Sequence, residues 1–178
     1  METIDRARFY RITPDLYAGL INLCLTFPLW MRNSKMIEIG SHIGESANIF
    51  SLFFNEVHCV DPHENNDTYL TFMRNTHSRN IYLHHRTGDD AVIDFPNEKY
   101  SFVYIDAVHD YEHVKQDVKN YYPKIIEGGF IGGHDYDIGA ENAGVRKAVN
   151  EIFGEPDYAF VDASWLWHKK PNRVINIL

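Results

Sequence analysis

The chain has 178 residues, 17 Lys+Arg against 25 Asp+Glu, a formal charge of −8, 44% hydrophobic residues and a mean hydropathy of −0.36. These values fit one globular domain with a core of ordinary size. They argue against a disordered chain and against a broad basic surface for nucleic acid. The two cysteines, Cys24 and Cys59, are too few for a disulfide framework and read as reduced, buried thiols. Ten histidines are a heavy load for this length.

In chain order, Pro14 to Trp30 reads as an N-terminal helix that Pro28 limits. Its apolar part, Leu20 to Trp30, is broken by Asn22, Thr26 and Pro28. It is too short to span a bilayer and lacks the features of a signal peptide, so the expected location is cytoplasmic. Short runs rich in β-branched and aromatic residues then alternate with amphipathic segments. The runs are Met36–Ile39, Val57–Val60, Ile81–His84, Ser101–Ile105, Phe130–Ile131, Tyr158–Val161 and the tail Arg173–Leu178, which reads as a last strand. Helical spacing of apolar residues marks Glu45–Phe54, Asp110–Tyr122 and Ala143–Phe153, the last with Gly154 as a C-cap. His77 closes a further helix-like segment.

Strand–helix alternation predicts an α/β fold: a Rossmann-like three-layer sandwich with a mostly parallel central sheet and an antiparallel C-terminal strand pair. Residues 1–178 are expected to form a single domain, with 1–35 as an N-terminal helical extension. In such sheets ligands bind beyond the C-terminal strand ends. Gly40, Asp61, Asp106 and the His134-Asp135 pair, which follow successive runs, should therefore converge on one edge.

The loop Glu38-Ile-Gly40-Ser41-His42-Ile-Gly44 joins the first strand to a helix. Its glycines allow a tight turn and close approach of a ligand, and the helix N-terminus offers free N–H groups. A dinucleotide fingerprint needs glycine where His42 stands. Glu38 would repel a phosphate and welcome a cationic group. Asp61, at the end of the second strand, is placed to accept hydrogen bonds from both hydroxyls of a ribose. Either acid alone could merely cap a turn; together, in this order, they favour a nucleoside ligand.

The ordered set Met36-Ile-Glu-Ile-Gly-Ser-His-Ile-Gly44, Val60-Asp61-Pro62-His63, Gly88-Asp89-Asp90, Tyr104-Ile-Asp106-Ala-Val-His109-Asp-Tyr111 and Gly128-Gly-Phe-Ile-Gly-Gly-His134-Asp-Tyr136 resembles the class I S-adenosylmethionine-dependent methyltransferases. It is most similar to their small-molecule and sugar O-methyltransferase branch, over about Met36 to Phe153. The resemblance implies S-adenosylmethionine as cofactor. Glu38, Gly40, Ser41 and Gly44 would form the pocket for its methionine part, Asp61 would bind the ribose, and Gly88 and Asp89 would lie beside the adenine. Asp106 would stand where the methyl group meets its acceptor.

Methyl transfer from a sulfonium is an in-line displacement, and a hydroxyl acceptor must also lose its proton to a base or to a metal-polarised state. Asp106, His109 and His134 are the catalytic candidates. The metal reading takes Asp106 and Asp135 as ligands of a divalent ion such as Mg²⁺, although His134 beside them departs from the all-oxygen set a hard cation prefers. His109 either serves as general base or caps the Asp110 helix and orients Asp106. His63 either touches the ribose or completes a turn. Trp165-Leu-Trp167 reads as core or subunit interface, and His168-Lys-Lys170 as a solvated turn.

The function expected is methyl transfer to a hydroxyl oxygen of a small molecule, a sugar or secondary metabolite. The acceptor pocket would be built by residues 1–35 and the loop 137–142, or by a second copy of the chain. No nucleic acid or membrane partner is expected. A nicotinamide-dependent oxidoreductase and a non-catalytic S-adenosylmethionine-binding protein are the alternatives.

Overall fold

The computed structural model describes residues 14–136 and 143–176. Seven strands form one sheet: β1 (Lys35–Ile39), β2 (Glu56–Val60), β3 (Ile81–His84), β4 (Tyr100–Ile105), β5 (Ile125–Gly133), β6 (Tyr158–Ala159) and β7 (Trp165–His168), in the spatial order β3-β2-β1-β4-β5-β7-β6. The pairings from β3 through β5 are parallel, whereas β7 runs antiparallel to both β5 and β6. Helices α1 (Pro14–Thr26), α2 (Glu45–Phe50), α3 (Asn66–Asn75), α4 (Gly88–Ala91), α5 (Tyr111–Tyr121) and α6 (Ala143–Phe153) flank it. This is the expected Rossmann-like architecture. Among the described residues, no helix is long and apolar enough to cross a membrane.

Burial on both faces follows from period-two alternation along the strands. Ile37, Ile39, Val103 and Ile105 point to one face, where they share a core cluster with Val118 and Val149 of the flanking helices and with Trp165 and Trp167 of the same sheet. Met36, Val57, Phe102 and Tyr104 point to the other, against Leu23, Phe50 and Phe72. All six residues of β4 are buried. Each fully buried aliphatic side chain contributes about 1.5–3 kcal/mol of transfer free energy, so the central strands anchor the fold.

Local chemistry sets the helix starts. The side chains of Asn65, Thr87 and Asp110 accept from the backbone N–H of Asp67, Asp90 and His113, capping α3, α4 and α5. Gly44 caps α2 at φ +82°, a left-handed conformation that suits glycine.

Several sequence expectations change. The tail was expected as a strand, yet its described part, through Asn176, forms none. The place beside β5 belongs to β7: Trp165-Leu-Trp167, read as core or interface, is buried there, and His168, read as part of a solvated turn, instead ends the strand, half-buried and stacked on Phe130 at 4.3 Å. The tail folds back instead: Asn176 N–H donates to Ile152 O, and the Arg173 guanidinium lies 3.9 Å from the Trp167 ring centroid. The helix expected over Glu45–Phe54 stops at Phe50, and the one expected to reach Trp30 ends at Thr26, followed by a 3₁₀ turn over Leu29–Asn33. The loop 137–142 and residues 1–13, assigned to the acceptor pocket, lie outside the described residues.

Candidate active site

The sheet order reverses direction at β1, between β2 and β4, and a crevice opens there beyond the strand ends. A cavity of about 710 Å³ occupies it. Gly40, Asp61, Asp106 and His134, which follow β1, β2, β4 and β5, all reach its wall, as do Ser41, Gly88 and His109. Asp135 lies immediately behind, bonded to two of the wall residues.

The first loop is built around Gly40. Its φ is +86°, and a Cβ there would lie 2.2 Å from the carbonyl oxygen of Asp106. Glycine therefore lets the loops after β1 and β4 touch backbone to backbone. His42 takes a left-handed φ of +42° and sends its N–H to Asp61 Oδ2 at 2.8 Å. The other oxygen, Oδ1, accepts from His63 N–H at 2.7 Å. His63 is buried and its Nε2 lies 2.7 Å from His42 O, so Nε2 carries a proton and ties the loop after β2 back to the loop after β1. Of the two readings of His63, its contacts are those of the turn. Asp61 keeps a second acceptor position on each oxygen for a ligand.

Besides Asp135, three of the sequence-derived residues, Glu38, Asp89 and Gly44, do not reach the cavity wall. Glu38 is fully buried beneath α2, its Oε2 accepting from Cys59 Sγ at 3.4 Å and its Oε1 without a protein partner. Burial pushes its carboxyl up to about 8, against the opposing effect of Ser46 and Cys59. Asp89 lies in α4 with Oδ1 held by Asn120 Nδ2 at 2.6 Å. Gly44 also stands back from the wall: it turns the chain into α2, where a Cβ would meet Thr76 at 2.5 Å.

The opposite side of the cavity carries linked imidazoles and carboxylates. His109 Nε2 lies 2.9 Å from Asp135 Oδ2 and 3.6 Å from Asp106 Oδ1; His134 Nδ1 lies 3.2 Å from Asp135 Oδ1. Asp135 is buried, with φ +61°. Burial raises the Asp106 carboxyl, opposed by His109 and His134. The His109 imidazole is raised by Asp106 and Asp135, with burial opposing. At His134, burial disfavours the cation, but the hydrogen bond to Asp135 and the charges of Asp106, Asp135 and Asp162 outweigh it and lift the group to about 9. The cap of α5 belongs to Asp110, which decides against a capping role for His109.

Sequence reasoning passed over the wall residues Tyr17 and Asp162. Tyr17 of α1 donates a hydrogen bond to Glu45 of α2, and burial and Glu45 raise its hydroxyl. Asp162 precedes β7, accepts from Ser164 N–H at 3.0 Å, and packs so closely on α1 that a Cβ at Gly19 would strike its carboxylate. Neither Tyr17 nor Asp162 sits in a strand-end motif; only the tertiary packing of α1 over the crevice brings them in.

The switch-point crevice, its glycine turn and the acid after β2 define a nucleoside-binding α/β domain. The chain belongs to the methyltransferase-domain family of class I, S-adenosylmethionine-dependent enzymes, whose family model matches residues 37–136. Solved structures share the fold. A protein from Corynebacterium glutamicum aligns at TM-score 0.66 with 14% identity, over 96% of this chain and 92% of that one. Cofactor-bound Rv0187 from MTB aligns at 0.66 with 15% identity, over 91% and 84%. YcgJ from Bacillus subtilis aligns at 0.55 with 16% identity, over 66% of this chain and 50% of its own, so the chain spans half the length of that relative. No curated protein matches.

Proposed function

We propose that the protein transfers the methyl group of S-adenosylmethionine to a hydroxyl oxygen of a small molecule. The observation that carries this reading is the His109–Asp135–Asp106 arrangement facing the same cavity as Asp61. It sets a base-and-carboxylate pair across from a ribose-type anchor.

The residues present suit the cofactor. A cavity of about 300–1,000 Å³ is the usual size of a small-molecule site, and this one lies in that range. Ser41 Oγ, on the wall, is buried without a protein partner and so is available to a polar ligand. The cofactor supplies an activated methyl on a cationic sulfur. Asp61 accepts from its ribose hydroxyls through the lone pairs its loop leaves free. The acidic wall, with Glu45, Asp61, Asp106 and Asp162, favours a cation over a phosphate.

His109 removes the acceptor proton. Its Nε2 faces two carboxylates and keeps its hydrogen, which leaves Nδ1 as the basic nitrogen of the neutral ring. Asp135 holds the ring and stabilises the imidazolium that forms. The isotope-labelled cofactor, incubated with a panel of hydroxylated sugars and phenols, tests this reading. Labelled methyl ether is the expected product, and transfer only to nitrogen or carbon acceptors overturns it.

A second reading has its own observation. One ligand atom each from Asp106, His134 and Asp135 lie within 4.8 Å of one another, close enough to share a divalent ion. One imidazole with two carboxylates suits manganese, iron or zinc better than magnesium. Such an ion would polarise the acceptor hydroxyl. Turnover that is undiminished in excess chelator removes it.

A further inference from the structure

A second group of histidines lies on the β2–β3 edge, among residues that do not line the cavity. His58 is in β2 and His84 ends β3; the register places His58 opposite Tyr82 and Val60 opposite His84, so both rings emerge on the same face. His58 Nδ1 and His84 Nε2 converge at 3.1 Å. The far nitrogen of each ring meets a carboxylate. His58 Nε2 lies 3.3 Å from Glu56 Oε2, and His84 Nδ1 lies 3.8 Å from Asp94 Oδ2. The carboxylates are fixed in turn, Glu56 by Lys35 at 2.8 Å and Asp94 by Arg86 at 3.1 Å. Phe95 packs against both rings, with centroids 5.9 Å from His58 and 4.7 Å from His84, and Tyr82 stacks on His58 at 5.3 Å.

The geometry points to a divalent transition-metal site between His58 Nδ1 and His84 Nε2. Imidazole ligands at about 2.0–2.1 Å from an ion stand about 3.3 Å apart in a tetrahedral set and about 2.9 Å apart in a square-planar one. The 3.1 Å separation lies between these values. A ligating histidine commonly donates its other N–H to a carboxylate, which fixes the tautomer and raises its basicity. His58 Nε2 has that partner in Glu56, and Asp94, at 3.8 Å, is a carboxylate neighbour of His84 Nδ1 beyond hydrogen-bond distance. The two side chains are 16% and 22% exposed, so water can complete the coordination. Imidazole donors select zinc, copper or nickel rather than magnesium or calcium. Without an ion, one proton is shared between the two facing nitrogens. This site does not depend on the methyl-transfer reading.

Zinc sulfate titrated into the full chain tests the assignment by two readouts. In long-range ¹H–¹⁵N spectra of the imidazoles, zinc should shift His58 Nδ1 and His84 Nε2. In calorimetry, His84→Ala should lose one equivalent of bound zinc, while His134→Ala keeps it. Glu56→Gln should weaken that equivalent about 10–100-fold. Unchanged His58 and His84 resonances at millimolar zinc overturn the site, and so does a His84→Ala chain that binds as much zinc as the wild type. If His84→Ala fails to fold, the wild-type spectra alone decide.

Discussion

His109 and Asp135 share a 2.9 Å contact between Nε2 and Oδ2, while Asp106 stands 3.6 Å from the same nitrogen. The ring is held from one side, and its two nitrogens have different roles. His109→Ala should therefore leave S-adenosylhomocysteine affinity within about twofold and lower kcat by about 10²–10⁴, the usual range for a general base. Calorimetry and steady-state kinetics check it, and wild-type turnover in the variant refutes the base assignment.

The same carboxylates raise the His109 imidazole, Asp106 foremost. A base must be neutral to act, so kcat/KM should rise with pH through a value above that of a free imidazole. In Asp106→Asn the leading cause is gone, and the rising limb should move to lower pH. A pH–rate profile of the residual activity reads the shift directly.

Glu38 makes a prediction about stability. Its folded-state carboxyl sits at about 8, well above an unfolded glutamate. Between about pH 4.5 and 8 the folded chain therefore binds more protons than the unfolded one. Its contribution is fully present below the lower value and is lost as pH rises through the upper one. Urea midpoints of the wild type should fall over this window, and Glu38→Gln should show a shallower fall. Parallel curves would remove Glu38 as the cause.

Gly40→Ala should destabilise the chain by about 2 kcal/mol or more. The new Cβ meets the Asp106 carbonyl at 2.2 Å in a backbone conformation that L residues avoid. The two loops must part, and S-adenosylhomocysteine affinity should fall with stability. Asp61→Ala should weaken the same ligand at least tenfold, because it removes the acceptor for two loop amides as well as the ribose anchor. Thermal melts beside calorimetry separate the two effects.

Much of this site was legible in the sequence because strands end at residues of unlike chemistry. Gly40, Asp61, Asp106 and His134 each follow a short apolar run, and the strand-end rule alone brings them to one crevice. Glu38 was harder to place. It shares its strand face with Met36, and that parity turns the side chain under α2 rather than onto the cavity wall. Tyr17 and Asp162 carried no local signal, since only the packing of Gly19 against Asp162 sets α1 over the opening. The tail misled because Val174 and Ile175 look like strand residues, while the position they would fill belongs to Trp165–His168. Apolar spacing cannot tell which of two segments wins a sheet edge.

The burial of β7 also equips the protein with an optical reporter. Of the three tryptophans, Trp165 and Trp167 are sealed in the core at 1% and 0% exposure, whereas Trp30 is 47% exposed. The emission of the folded chain should combine a blue component from the two indoles of β7 with a red one from Trp30. Quenching by iodide should remove the red component and leave the blue. Unfolding of the sheet then moves the whole spectrum to the red, so one wavelength follows the antiparallel end of the sheet at β7 while another follows the turn after α1.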